Sequence, residues 1–408
     1  MPLKRVSIVI FLIAFGVRFS ATLRHRPQPD NVYEPTKVAL AVARHGSFAD
    51  PFMIPTGPTA HIAPAFPLVL SVVYKFFGDG EAAEIAKRFL NCFVSSLQYA
   101  LLPWVTRVLG LNAPVGLAAA FFGALLPLQR YAEVASSWES SWTAVLSIIL
   151  VGVWRKQLGR ATRDTRLAIR AGALWGLALL INPAVASVYV GCVGSLRRQW
   201  RSALVSVFVT VLCLSPWALR NKRQLGSWVW LTDNFGLELS ISNSDGSASR
   251  LDANLRSDYL KRFHPHESYA EALRVRELGE VEYNRRRFVQ ALAWIASHFS
   301  RFCRLTGERV VYFWFPWVPS PANRLFLVVL TLLALAGLHH TFQIEPITAK
   351  IVLVIWVLYP LVFYIVQFDR RYRHPIEWTL LLMTAQAVVA FTQRKRPDHR
   401  SREAANPG

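Results

Sequence analysis

The chain has 408 residues, of which 53% are hydrophobic and only 17% charged, with a mean hydropathy of +0.29 and a formal charge of +21. A soluble domain carries nearer a quarter of charged residues, and here the apolar residues gather in blocks of roughly 17 to 25, about the length a helix needs to cross a bilayer. This excludes a string of soluble domains, and it excludes nucleic acid as the reason for the charge, because the basic residues sit largely in short connections between apolar blocks, where they set topology.

Lys4 and Arg5 precede the first apolar stretch, residues 6–23, and place its N-terminus in the cytoplasm. No small-x-small cleavage pattern follows, so this stretch reads as a retained first helix. Residues 24–83 then form an outer loop. Within it, 35–46 and 64–78 have apolar residues at helical spacing but are better amphipathic or interfacial helices than spans. Further spans are expected at 85–109, 113–127 and 139–154, followed by the basic run RKQLGRATRDTRLAIR (155–170), which belongs in the cytoplasm. Residues 170–196 are apolar but interrupted at Asn182-Pro183, and RRQWR (197–201) is basic again, so both ends call for the same side. A hairpin of two short helices satisfies this, since Pro183 cannot continue the backbone ladder and Asn182 supplies polar groups at the bend.

Residues 202–219 cross outward and deliver a polar region, 220–321, to the outer face. Spans at 325–339, 351–368 and 376–391 return the chain to a basic cytoplasmic tail. The expected fold class is an all-α membrane protein, a polytopic helical bundle of about ten membrane segments with amphipathic helices in the first outer loop. Three regions follow: a transmembrane module 1–219 containing the outer loop 24–83, an outer-face region 220–323, and C-terminal membrane helices with a tail, 324–408. Cys92, Cys192 and Cys213 lie in apolar blocks and Cys303 stands alone in a polar stretch, so no disulfide framework is expected.

On the inferred outer side, four clusters stand near membrane ends: PQPDNVYEP (27–35), SSWESSW (136–142), PWALRNKRQLG (216–226) and FDRRYRHP (368–375). Carboxylates and guanidinium groups at the rim of apolar helices are costly unless they are paired or bind something. Their combination suits transfer from a sugar phospholipid, which needs a base for an acceptor hydroxyl and cations for a phosphate leaving group.

On these residues the sequence resembles the GT-C superfamily of polyprenyl-phosphate-sugar glycosyltransferases, in particular the bacterial branch similar to protein O-mannosyltransferases and lipid A aminoarabinose transferases. The matching features are the acidic first outer loop with Asp30, Tyr33 and Glu34, the Ala-rich helix ending in HGSF (45–48), and PTGPTAHIAPAFPLVLSVVYKFFG (55–78). Trp138-Glu139, PWALRNKRQLGSWVWLTDNFGLEL (216–239), GEVEY (279–283), Phe313-Trp314 and RYRHPIEW (371–378) follow in the same order.

The resemblance implies an inverting transfer of a mannose-like hexose or an aminoarabinose-like sugar, with a catalytic carboxylate in the first outer loop. Asp30 keeps an Asp-x-x-Tyr spacing, Glu34 stands directly before the helix, and both qualify. Arg220, Arg371 and Arg373 are the expected clamps on the donor phosphate. Tyr33, Glu139, Trp217, Asn221 and Tyr372 are expected to bind or orient substrate, with Trp228 and Trp314 as further aromatic faces. The implied partners are a polyprenyl-phosphate-linked sugar, membrane lipid, and a protein, lipid or glycan acceptor, in a bacterial inner membrane with the site facing the periplasm or exterior.

Plainer roles stand beside these. A loop carboxylate can simply be solvated, Arg220 and Lys222 can meet lipid headgroups, Glu139 can cap its helix, and tryptophans commonly anchor at the bilayer interface. His61, His264, His266, His339, His340 and His374 form no zinc spacing, so neither metal nor cofactor is expected. The rival function is a transporter or flippase for a lipid-linked substrate. It would place ionisable groups near mid-membrane, whereas these spans read as mostly free of charge. A structural subunit that keeps the fold without activity is the third reading.

Overall fold

A computed structural model describes residues 3–23, 33–126, 133–134, 138–159 and 164–394. Asp30 lies outside the described residues. Among the described residues the regular structure is helical, with two isolated bridges, Ala49 to Pro58 and Arg250 to Phe368. Helix α1 spans Leu3–Leu23, and the two expected loop helices follow as α2 (Glu34–His45) and α3 (Ala65–Phe77). Pro35 sits in the first turn of α2, where its missing N–H removes no bond. Gly46, at φ 66°, ends α2 with its N–H on the Val42 carbonyl.

Then come α4 (Glu81–Val108), α5 (Ala113–Leu125), α6 (Ser140–Gly159), α7 (Thr165–Ile181), α8 (Ala186–Ser195) and α9 (Trp200–Leu225). The break expected at Asn182-Pro183 separates α7 from α8: Asn182 Oδ1 accepts the Ala184 N–H at 3.0 Å, and a 3-10 turn, Pro183–Val185, carries the chain on. The region after α9 is not irregular. It folds into α10 (Phe235–Ser242), α11 (Leu251–Arg256), α12 (Tyr259–Phe263), α13 (Tyr269–Leu278), α14 (Glu280–Ser297) and α15 (Phe299–Trp314). Leu237, Ile241, Tyr259, Leu260, Ala272, Val275 and Tyr283 form a small core there and close over Phe52 from the loop between α2 and α3. The chain ends in α16 (Pro321–Ile344), α17 (Pro346–Leu358), α18 (Leu361–Ile365) and α19 (His374–Arg394).

Among the described residues, five segments are long and apolar enough to cross a membrane: Lys4–Thr22, Arg197–Leu225, Pro321–Ile344, Pro346–Ile365 and His374–Gln393. The chain is thus an all-α integral membrane protein, with five such segments where about ten membrane segments were expected. Ala65–Phe77, Ala113–Leu125 and Pro183–Ser195 are apolar but too short. The α19 segment is 67% buried and the α9 segment 28%, so α19 runs through the centre of the bundle and α9 along its edge. Small residues let the helices approach closely. Gly337 of α16 meets the Met383 carbonyl of α19, and Gly172 and Gly176 of α7 meet Ser206 and Cys213 of α9.

The spans are less free of charge than their sequence suggests. Arg18 of α1 and Glu133 are both fully buried and paired at 3.0 Å, and the Tyr99 hydroxyl donates to the same carboxylate. Arg18 also donates to the Ala124 and Gly123 carbonyls at 3.0 and 3.1 Å. Those carbonyls lie in the last turn of α5, where the helix itself offers them no partner. This pair ties α1, α4 and α5 together.

Candidate active site

At one end of the bundle, where α6 and α19 begin and α7 and α17 end, a cavity of about 480 Å³ opens between the membrane helices on one side and α2, the start of α3 and α10 on the other. Glu34 stands at its wall as the first residue of α2, only 7% exposed. A helix N-terminus favours a negative charge at that position. Its Oε1 lies 3.7 Å from His266 Nδ1 and 3.9 Å from His264 Nε2, and His264 Nε2 is also 3.9 Å from Glu238 Oε1. Burial pushes the Glu34 pKa up, but His266, His264, His61 and the helix backbone outweigh it and hold it down to about 2. These neighbours favour the charged form of Glu34.

His61 reaches the same cavity from the loop between α2 and α3. Burial brings its pKa down to about 4, against the opposing pull of Glu34. His264 is raised: burial lowers it, but the hydrogen bond and charge of Glu238 and the charge of Glu34 prevail. Burial lowers His266, and Glu34 opposes that only in part. The side therefore combines one fixed negative charge with three imidazoles of different proton affinity.

Facing them is a cationic and aromatic wall. The Arg371 guanidinium lies 3.6 Å from the centre of the Trp138 ring, and its backbone N–H is held by Asp369 Oδ1 at 2.9 Å. Tyr33 packs edge-on against Trp138 at 6.2 Å and parallel to His266 at 6.5 Å, linking the two walls. Tyr372 stacks on Phe363 at 4.4 Å, and Glu139 lines the cavity one residue before α6. Asn182 and Pro183, at the α7 break, also line it.

Of the residues singled out in the sequence, the fold brings Glu34, Glu139, Arg371 and Tyr372 to this cavity, with Tyr33 packed on its lining. Six others are placed elsewhere. Arg220 donates from Nη1 and Nη2 to the Thr59 and Phe48 carbonyls, each at 2.6 Å. Asn221 is fully buried and donates to the Val229 carbonyl at 2.9 Å, and Trp217 donates to the Leu231 carbonyl at 2.7 Å. Arg373 is fully buried, donates to the Trp314 carbonyl at 2.8 Å and faces Glu377 at 3.5 Å. Trp314 donates to the Tyr364 hydroxyl at 2.8 Å, and Trp228 is 58% exposed beside Trp230.

The sequence reading weighed His61, His264 and His266 only for a zinc spacing, which they lack, and did not single out Glu238. The one signal available was the His264-Pro265-His266 alternation, which puts two imidazoles within reach of a single group. Among the described residues no three His, Cys, Asp or Glu side chains gather in a way that could hold a metal ion.

No family model matches the sequence, and no curated protein matches it. Solved structures do. The oligosaccharyltransferase of Archaeoglobus fulgidus in its apo form is 15% identical, with a TM-score of 0.58 over 99% of this chain. The oligosaccharyltransferase AglB of the same organism, in complex with an inhibitory peptide and a dolichol-phosphate, is 15% identical with a TM-score of 0.59 over 100% of this chain. The Archaeoglobus fulgidus enzyme in complex with zinc and sulfate is 13% identical, with a TM-score of 0.51 over 98% of this chain. The chain spans about half the length of these structures, 52% of the first two and 56% of the third. At this identity the likeness is one of fold.

Proposed function

We propose that the protein is a membrane glycosyltransferase that moves a sugar, a mannose-like hexose or an aminoarabinose-like pentose, from a polyprenyl-phosphate carrier to a protein, lipid or glycan acceptor with inversion. The observation that carries the reading is a single cavity at the membrane-helix ends with the buried carboxylate of Glu34 on one wall and the Arg371 guanidinium on another. The shared fold supports it, since one of the similar structures holds a dolichol-phosphate and a peptide.

In this reading the acceptor hydroxyl attacks the anomeric carbon from the face opposite the lipid phosphate, and one displacement inverts the centre. Glu34 or Asp30 takes the proton of the acceptor hydroxyl as its base. In this reading the Arg371 guanidinium, stacked on Trp138 and bonded to Tyr372, turns further in-plane N–H groups to the departing phosphate, which a guanidinium can meet with two parallel bonds. Arg220 and Arg373, which are tied to backbone carbonyls, act in this reading by holding the walls. Glu139 and Tyr372 orient the substrate. The site faces the non-cytoplasmic side of a bacterial inner membrane.

The test is to give the purified protein a panel of polyprenyl-phosphate sugars and follow consumption of each by mass spectrometry. One donor should be consumed, and Glu34→Gln should slow that consumption by about 100-fold or more. No turnover of any donor would end the proposal. A second reading, movement of a lipid-linked substrate across the membrane, is favoured by the broken helix at Asn182-Pro183, which lines the cavity as such breaks do in transporters. It predicts translocation of the intact donor in vesicles without chemical change.

A further inference from the structure

Helices α7 and α9 pack side by side and run in the same direction. An added Cβ at Gly172 would meet the Ser206 carbonyl, one at Gly176 would meet Cys213, and the Thr210 hydroxyl reaches the Gly172 carbonyl at 3.0 Å. Both helices point toward the cavity: Ile181, the last residue of α7, lines it, and so do Leu231 and Thr232 in the segment after α9. Their starts therefore stand together at the opposite end of the bundle, about 24 Å away along α7 at roughly 1.5 Å per residue.

Arginine gathers at these starts. Arg166 and Arg170 lie in the first two turns of α7, Arg197 and Arg198 in the 3-10 turn Arg197–Gln199, and Arg201 in the first turn of α9. All five are exposed, and among the described residues none of their side chains makes an ion pair or a hydrogen bond. Arg201 only lies over Trp200, its guanidinium 5.1 Å from the ring centre. Arg155, at the same end of the bundle, is by contrast paired with Glu345 at 3.6 Å. Two helix N-termini add positive charge of their own, which arginine reinforces instead of offsetting. The one carboxylate between positions 164 and 201 is Asp164, which caps α7 by accepting the Leu167 N–H at 2.9 Å. Topology calls for basic residues at one end of a membrane bundle, but it does not call for crowding them on two positive helix ends without an anion. Toward the cavity the exposed positions turn apolar, with Leu177 on α7 and Leu204, Phe208, Val211 and Leu212 on α9. Helix α9 belongs to a membrane-crossing segment at the edge of the bundle, so this apolar face meets lipid.

We propose that the patch binds a negatively charged phospholipid of the bilayer, its headgroup phosphate held by the arginines and its acyl chains lying along the apolar face of α9. A guanidinium gives a phosphate two parallel hydrogen bonds, and basic side chains at a membrane surface attract anionic lipid. A zwitterionic phospholipid carries the same phosphate but balances it with its own cation, so net charge decides the choice. The site is separate from the cavity and does not depend on what the cavity does.

The test uses the full chain purified in a neutral detergent and equilibrium binding of radiolabelled phosphatidylglycerol and phosphatidylcholine with identical acyl chains. The wild type should bind phosphatidylglycerol about 10-fold or more tightly, and Arg166→Gln, Arg170→Gln and Arg201→Gln together should reduce that preference to within about threefold. Removing three exposed charges from the cavity end, by Arg262→Gln, Arg276→Gln and Arg304→Gln, should preserve it. Equal affinity of the wild type for the two lipids overturns the proposal. So does an equal loss in the two triple variants, which would be a response to net charge alone. Glycerol 3-phosphate, the headgroup fragment without chains, should not displace the lipid; if it does, the patch is a site for free phosphate and the lipid assignment falls. Should the patch variant not fold, the wild type decides by itself, because a preference that stays unchanged between about 0.05 and about 0.5 M salt is not one held by exposed charges.

Discussion

Arg220 and Arg371 are the same residue type near the same cavity, and their surroundings separate their work. Arg220 gives both terminal nitrogens to carbonyls of the loop between α2 and α3, so its loss removes two bonds from a charged donor to that backbone. Hydrogen bonds from a charged donor are worth about 1.5–3 kcal/mol each, and Arg220→Ala should lower the melting temperature clearly. Arg371 rests on Trp138, bonds the Tyr372 side chain and lines the cavity without holding backbone carbonyls as Arg220 does, so Arg371→Ala should lower the melting temperature less. It should instead cost about 2–4 kcal/mol of transition-state stabilisation, a loss of roughly 30- to 1000-fold in kcat. Melting curves and donor consumption measured on the same preparations check both, and an equal loss of stability in the two variants would contradict the distinction.

The packing of α14 against the first loop depends on one carboxyl. Burial pushes Glu280 up to about 8, against the opposing bonds from Thr59 and Ala60. An unfolded Glu titrates near 4.3, so between about 4.5 and 8 the folded state holds a proton that the unfolded chain has released. Stability should fall as pH rises through that window. Glu280→Gln resembles the protonated carboxyl, and thermal unfolding from pH 5 to pH 8 should show a flatter profile for it. Its melting temperature should exceed the wild-type value at pH 8 and differ little at pH 5. Helix contact within the bundle is tested at Gly337, where an added Cβ would meet the Met383 backbone carbonyl of α19. Backbone cannot yield as a flexible side chain does, so Gly337→Ala should destabilise by about 1–3 kcal/mol, read as an earlier melt in detergent.

At the scale of the molecule, the topology places the cavity and the α10 to α15 region on one side of the membrane. Cys303 of α15 is exposed, while Cys92 and Cys192 are buried in the bundle. In intact cells, a membrane-impermeant maleimide should label Cys303 without lysis, and Cys303→Ser should abolish that labelling. Labelling only after lysis would put the cavity on the cytoplasmic side and end the proposal for an exterior-facing site.

The helix break at Asn182-Pro183, the start of α2 at Glu34-Pro35 and its end at Gly46 were legible from residue type, because proline and glycine act on the backbone next to them. The membrane class was legible too, since an apolar helix announces itself by composition alone. What the sequence could not disclose was convergence. Arg220 and Arg371 look alike in their rim motifs, and only the fold shows that one grips two carbonyls and the other lies on Trp138. Likewise Arg18 meets Glu133 across 115 positions of chain, and His61, His264 and Glu34 meet around one cavity, through contacts with no local spacing. Local backbone preferences and burial are properties of short stretches and can be read in order along the chain. The partner of a charge is decided by tertiary packing, which brings together residues that no periodicity connects.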